Sequence, residues 1–164
     1  MADPSWSDPL DPSFAAARGG RWNPPGSFPV LYLNEDLVTA RTNLQLFIDG
    51  WGYGPEDLRD DTGPMLVAAT LPRTQAVADV HSDLGVAAAG LPASYPLDGQ
   101  NRPVGHDRCQ PVGVTARQAG LRGVRCRCAQ AVYGAGRELA WFPATSRSRA
   151  RPVSVTRFRA WFYR

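Results

Sequence analysis

The chain has 164 residues, of which 43% are hydrophobic, so we expect a single compact domain spanning residues 1–164. No apolar run reaches the roughly 18 residues of a membrane span, and the first residues lack a secretory signal, so we expect a cytoplasmic protein. The three cysteines include no CxxC pair, and Cys126 and Cys128 are too close for an unstrained disulfide, so we expect reduced thiols and no metal.

Basic charge is concentrated in the second part of the chain. Residues 1–107 carry six arginines and 14 acids, whereas residues 108–164 carry 12 arginines and one acid. This asymmetry fits a nucleic-acid surface or a site for a phosphate-bearing ligand, and it also fits two halves that neutralise each other on folding. We favour neutralisation and rank direct nucleic-acid binding last, because the chain has no aromatic-basic motif of a known nucleic-acid-binding module.

The first third of the chain predicts an arm, a loop, a strand and a helix. Residues 1–18 contain three Asp-Pro pairs, which predict a proline-rich arm without helix or central strand. A rigid loop at 19–26 precedes an apolar run at 28–33 that predicts a buried strand. Asn34 is the predicted cap of the next helix, on which Asn43 lies beside the apolar stripe. The stripe comprises Leu37, Ala40, Leu44 and Phe47 or Ile48.

The rest of the chain predicts mainly strands. Residues 85–99 are rich in turn signals, residues 134–136 predict a hairpin turn, and residues 146–151 predict a basic surface loop. Alternating apolar residues at 153–162 predict a final strand, with a bulge near residues 156–157. The remaining predicted elements are strands at 65–71, 76–80, 124–128 and 138–142 and a short helix at 111–118.

The loop from Gly19 to Asn23 is the strongest candidate for a ligand site. Arg21 offers a planar fork of donors that suits a pyrophosphate, and Gly20 allows backbone N–H groups to approach the same oxygens. The alternative is a tight turn with Trp22 in the core and Arg21 on the surface. The spacing of the residues does not decide between these interpretations.

Five segments carry a resemblance to a known family: 19–26, 28–33, 109–113, 120–129 and 138–142. They resemble those of the RES family, the toxins of bacterial toxin–antitoxin pairs. The resemblance implies an ADP-ribosyltransferase-like fold, here an α+β split β-sheet core with a few short helices. It also implies cleavage or phosphorolysis of NAD as substrate, without a metal. The implied partner is an antitoxin with an Xre-type helix-turn-helix domain.

The resemblance also implies roles for individual residues. Arg21 corresponds to the ligand-binding arginine, Tyr32 to the tyrosine at the nicotinamide end, and Asn43 to the catalytic glutamate of the family. An amide at position 43 keeps a hydrogen bond to a ribose hydroxyl but brings no charge. This departure motivates a second hypothesis, a catalytically weakened module that binds NAD or another nucleotide or pairs with an antitoxin. The predicted binding residues are Gly20, Arg21, Trp22, Asn23, Tyr32, His106 and Cys128.

His106 and Cys128 each have two interpretations. His106 suits a general acid or base, because an unperturbed histidine titrates near neutral pH, but a lone loop histidine is more often exposed or hydrogen-bonded. Cys128 occupies a strand in which related chains carry a serine. It is a nucleophile if its pKa is lowered by nearby arginines, and otherwise a packed thiol or one that contacts the ligand.

Overall fold

The structure is a computed structural model, and it describes residues 1–129, 135–145 and 150–163. One turn of 3₁₀ helix lies at Pro55–Asp57. The α-helices are α1 (Ser13–Arg18), α2 (Leu37–Ile48), α3 (Asp83–Ala88), α4 (His106–Gln118) and α5 (Phe158–Phe162). The strands are β1 (Leu31–Asn34), β2 (Leu66–Thr70), β3 (Ala78–Val80), β4 (Gly123–Arg127), β5 (Arg137–Trp141) and β6 (Arg151–Thr156).

The strands form two separate sheets. The larger has the order β1, β5, β4, β3, in which β3 and β4 are parallel and the other neighbours are antiparallel. The smaller is an antiparallel pair of β2 and β6. Cys109 and Ala116 of α4 share a core cluster with Val124 of β4, so this helix covers one face of the larger sheet. A second cluster joins Leu44 of α2 to Phe158 of α5.

The predicted α+β class, with split sheets and short helices, is confirmed. The predicted helix is α2, and the burial of Ala40, Leu44 and Ile48 follows its helical period. Phe47 is not part of the buried stripe, since 63% of its surface is exposed. The predicted hairpin of β4 and β5 is also present, and Val124 pairs with Ala140.

Both ends of the chain contain helices that the sequence prediction lacks. α1 lies within the proline-rich arm because Pro12 directly precedes its first turn, where a missing N–H costs no helical hydrogen bond. The predicted final strand divides into β6 and α5. Phe158 and Trp161 are both buried, so a helical spacing describes this end better than the alternation that predicted a strand.

The boundaries of α2, α3 and α4 also differ from the prediction. Asp36 caps α2 instead of Asn34, because its carboxylate accepts the N–H of Thr39 at 2.7 Å while Asn34 still belongs to β1. α3 occupies the start of the predicted loop, since Ser82 supplies a cap. α4 begins before Pro111 and accommodates this proline, which removes only one N–H donor.

Three predictions in the second half concern irregular segments. The pairing of β2 with β6 skips Val153, so the bulge lies there rather than at residues 156–157. Pro152, beside it, has no N–H to donate, which suits a bulged edge. The predicted turn at 134–136 lies partly, and the basic loop at 146–151 mostly, outside the described residues.

Ion pairs join the acidic and basic halves of the chain. Arg125 and Arg137 both contact Glu35, at 2.6 and 3.5 Å, and Arg127 pairs with Asp83. The hydrogen-bonded Arg125 guanidinium lowers the pKa of the Glu35 carboxyl below its ordinary value. These contacts neutralise part of the basic charge of residues 108–164. In the described part of the chain, no helix has the length and apolarity needed to cross a bilayer.

Candidate functional site

The loop that follows α1 is held closed by the side chain of Asn23. Asn23 is fully buried, and its Nδ2 donates to the carbonyl oxygens of Ala15 at 2.7 Å and Phe28 at 3.2 Å. These bonds tie the end of α1 to the segment that leads into β1. A buried amide with satisfied donors fixes a loop firmly, because breaking either bond leaves a polar group unpaired. Arg21 is therefore presented by an ordered segment.

Tyr32 of β1 completes this hydrogen-bond network. Its hydroxyl donates to Asn23 Oδ1 at 2.9 Å and accepts the backbone N–H of Trp22 at 3.0 Å. The residue is 39% exposed, although its hydroxyl has these two partners. Burial of the hydroxyl raises the pKa of Tyr32 to about 12, so it keeps its proton at neutral pH. A side chain at Gly20 would collide with this hydroxyl, since an added Cβ would lie 2.4 Å from it.

Replacing Tyr32 with phenylalanine is expected to lower the free energy of unfolding by about 1–3 kcal/mol, because Asn23 Oδ1 and the Trp22 N–H lose their partner. Urea denaturation followed by circular dichroism measures this change. The matched control is Tyr53→Phe, since Tyr53 is 49% exposed. Equal stabilities of the two variants would contradict the role given to the Tyr32 hydroxyl.

Arg21 projects from the loop into a cleft of about 450 Å³, which we call the Arg21 cleft. Its Nη1 donates to the carbonyl of Val104 at 2.9 Å and approaches Cys109 Sγ at 3.9 Å. Among the described residues, Nε and Nη2 of Arg21 have no hydrogen-bond partner, and no carboxylate pairs with this guanidinium. The side chain is thus anchored at one nitrogen, and its other donors remain available to a ligand.

The walls of the Arg21 cleft combine polar and aromatic groups. Phe14 and Phe47 are 65% and 63% exposed, and they provide apolar surface for a flat ring. The described residues that line the cleft are Met1, Phe14, Ala15, Gly19, Gly20, Arg21, Trp22, Tyr32, Asn43, Phe47, His106, Ala129 and Glu138.

Two other clefts are similar in volume but differ in chemistry. One, of about 470 Å³, lies between α3 and α4 and is lined mainly by alanine, valine and proline. The other, of about 510 Å³, includes Glu35 and Asp36. No arginine is among the described residues that line either one. Of these three clefts, the Arg21 cleft therefore fits an anionic ligand best. A smaller cleft, of about 340 Å³, is lined by two arginines, Arg73 and Arg151.

Asn43 lies at the centre of a polar cluster on the floor of the cleft. Its Nδ2 donates to Asn34 Oδ1 at 2.7 Å and to Glu138 Oε1 at 2.5 Å, and its Oδ1 accepts the thiol of Cys128 at 3.0 Å. A carboxylate only accepts hydrogen bonds, so the amide nitrogen of Asn43 must face Glu138. The predicted position of Asn43 beside the cleft agrees with this arrangement.

The structure brings most of the predicted site residues together. Gly20, Arg21, Trp22, Tyr32, Asn43 and His106 line one cleft, whereas Asn23 and Cys128 are fully buried behind it. Cys128 thus reaches the cleft through its contact with Asn43. Partial burial, together with the charge of Arg21, lowers the pKa of His106 below its ordinary value, so its imidazole is mainly neutral at pH 7.

Glu138 is the site residue that the sequence analysis missed. It is the acid counted among residues 108–164, where it stands against 12 arginines. Its isolation among arginines is visible in the sequence, but this feature does not by itself indicate a site. Sequence alone does not reveal that β5 places Glu138 next to Asn43.

Comparisons with known proteins agree with this architecture. The sequence model of the RES domain matches residues 2–162 of the chain. A chain in the crystal structure of the M. tuberculosis MbcT–MbcA toxin–antitoxin complex is similar, with a TM-score of 0.74 and 20% sequence identity. That alignment covers 98% of this chain and 85% of the other, and it establishes a shared fold. No curated protein matches the chain in sequence.

Proposed function

Because the chain belongs to the RES domain family, we propose that it is a toxin-like enzyme that consumes NAD by cleaving the bond between nicotinamide and ribose. The observation that carries this proposal is Arg21, which lines the cleft and whose Nε and Nη2 donors have no partner among the described residues. An arginine held in this way suits a bidentate contact with a pyrophosphate. NAD contains such a pyrophosphate, with an aromatic ring system at each end.

The proposed pose places the pyrophosphate at Arg21 and the nicotinamide riboside against Tyr32. Tyr32 lines the cleft and is 39% exposed, while its hydroxyl is occupied by Asn23 and Trp22. The tyrosine therefore acts through packing rather than proton transfer. Asn43 and the cluster around it then lie next to the nicotinamide ribose. Holding the reacting groups in one geometry lowers the entropic part of the barrier.

The proposed reaction breaks the bond between ribose C1′ and the nicotinamide nitrogen. The bonding electrons leave with nicotinamide, whose ring becomes neutral, and positive charge develops on the ribose as an oxocarbenium ion. Water, phosphate or a hydroxyl of a macromolecule then forms the new bond at C1′ and releases its proton. The chemistry of the cleft is compatible with all three acceptors.

We also propose that a partner protein restrains this activity, in the manner of an antitoxin with an Xre-type helix-turn-helix domain. Support comes from the solved relative, which belongs to a toxin–antitoxin complex. The expected result is that a helix-turn-helix protein encoded beside this chain forms a stoichiometric complex with it and lowers NAD turnover. Turnover that is unchanged in such a complex would remove the restraining role.

The direct test is chromatographic measurement of nicotinamide released from NAD by the purified protein, with and without inorganic phosphate. We expect one nicotinamide per NAD consumed. ADP-ribose as the product identifies hydrolysis, and a phosphorylated ADP-ribose that forms only with phosphate identifies phosphorolysis. NAD that binds without turnover would favour the weakened binding module suggested by Asn43. NAD that neither binds nor reacts would contradict both functions.

A further inference from the structure

We propose that Glu138 supplies the carboxylate that acts on the nicotinamide ribose, in exchange for the carboxylate absent at position 43. This inference rests on the proposed function and adds a catalytic residue to it. The sequence implies a missing charge at Asn43, and the structure places a carboxylate oxygen 2.5 Å from the Asn43 amide nitrogen. The site therefore contains a carboxylate that is hydrogen-bonded to the Asn43 amide.

The position of Glu138 in the larger sheet determines the face to which its side chain points. β1 and β5 pair antiparallel, with Asn34 opposite Glu138 and Tyr32 opposite Ala140. Residues opposite each other, and residues two apart on one strand, point to the same face of a sheet. Glu138 therefore shares a face with Tyr32, the residue proposed to contact the nicotinamide riboside.

Glu138 is also the carboxylate that the Arg21 cleft offers. The chain has three glutamates, and the other two are Glu35, which pairs with Arg125, and Glu56. No other acid is among the described residues that line the cleft. The cleft therefore has one candidate for stabilising positive charge.

Glu138 forms no ion pair with another described residue. In the described part of the chain, no arginine or histidine forms a salt bridge with it, and Oε2 has no hydrogen-bond partner. Oε1 is held by Asn43, so the carboxylate is oriented while its second oxygen remains open to a ribose hydroxyl. A fixed negative charge beside the ribose stabilises the developing oxocarbenium ion without reorganisation.

The Asn43 cluster positions this carboxylate. Asn34 Oδ1 and the Cys128 thiol fix the orientation of the Asn43 amide, because one is an acceptor for its nitrogen and the other a donor to its oxygen. The amide then presents its N–H group to Glu138. A glutamate at position 43 would instead place two carboxylates in contact, and like charges in contact disfavour ionisation of both.

The test compares nicotinamide release by the wild-type protein and four variants, with thermal melting monitored for each. Glu138→Gln keeps an oxygen that accepts from Asn43 but removes the charge, and we expect turnover to fall on the order of a hundredfold. Asn43→Glu alone is expected to lower turnover through repulsion. The double variant Asn43→Glu/Glu138→Asn, which reverses the pair, is expected to recover to within about tenfold of wild type. Glu56→Gln is the matched control, because Glu56 is exposed and lies outside the cleft.

Two results would overturn this inference while leaving the proposed function in place. One is a folded Glu138→Gln variant with wild-type turnover, which would reduce Glu138 to a structural role. The other is an Asn43→Glu variant that turns over NAD faster than wild type. This result would show that the site is weakened by the lack of a glutamate at position 43. A wild-type protein without turnover would instead overturn the proposed function, and this inference with it.

Discussion

Substitution of Gly113 by alanine is expected to destabilise the fold by about 3 kcal/mol or more. Gly113 lies in α4, where a Cβ would be 1.8 Å from the carbonyl oxygen of Trp22. A methyl group cannot occupy that space, so either α4 or the loop that carries Arg21 must move. Alanine stabilises a helix by roughly 1 kcal/mol relative to glycine. A net decrease in the free energy of unfolding of the variant therefore reports the steric clash.

Guanidinium denaturation of Gly113→Ala measures this loss, and NAD turnover should fall with it because Arg21 precedes Trp22 in the displaced loop. Gly99→Ala is the control, since Gly99 is exposed and a Cβ there meets no atom within 4 Å. The control should change stability by less than about 0.5 kcal/mol. A Gly113→Ala variant as stable as this control would mean that α4 does not pack against the loop so closely.

Replacement of Arg21 by alanine is expected to reduce NAD turnover by on the order of a hundredfold or more. The variant loses the donors proposed to bind the pyrophosphate, and with them the orientation of the substrate relative to Tyr32 and Glu138. Lysine at this position restores the charge but not the planar fork, so Arg21→Lys should recover only part of the activity. Nicotinamide release and NAD affinity by calorimetry give the two readouts.

Arg18→Ala provides the matched control for this series. Arg18 lies in the last turn of α1, is exposed and does not line the Arg21 cleft. Its loss should leave turnover and affinity near wild type, since an exposed charge outside the cleft is screened by water and salt. If Arg21→Ala and Arg18→Ala behaved alike, the ligand would have to bind elsewhere.

The sequence predicted those elements whose patterns have a single interpretation. The stripe of α2 has a helical period that a strand does not share, and β4 and β5 pair antiparallel as predicted. The apolar residues at Phe158 and Phe162 fit both a strand and a helix, and burial of Trp161 against the second core decides for α5. Tertiary contacts therefore determine such short segments, and local propensity does not.

The site was predictable where it depended on loop chemistry and resemblance. The structure places Arg21, Tyr32 and Asn43 along one cleft, and their roles toward a ligand stay predictions. Asn23 was expected at the ligand, but its amide is buried and holds the loop closed. Glu138 was beyond reach because the contact with Asn43 joins residues 95 positions apart. Only the pairing of β1 with β5 brings them together.

The measurement that tests this account most directly is a crystal structure with an NAD analogue whose nicotinamide ribose is replaced by an uncleavable carbocycle. We expect its pyrophosphate within about 2.7–3.2 Å of Arg21 Nε and Nη2, and the carbocycle beside Glu138. The nicotinamide should lie against the Tyr32 ring. An analogue bound in another cleft, with the Arg21 cleft empty, would contradict the assignment of this cleft to NAD cleavage.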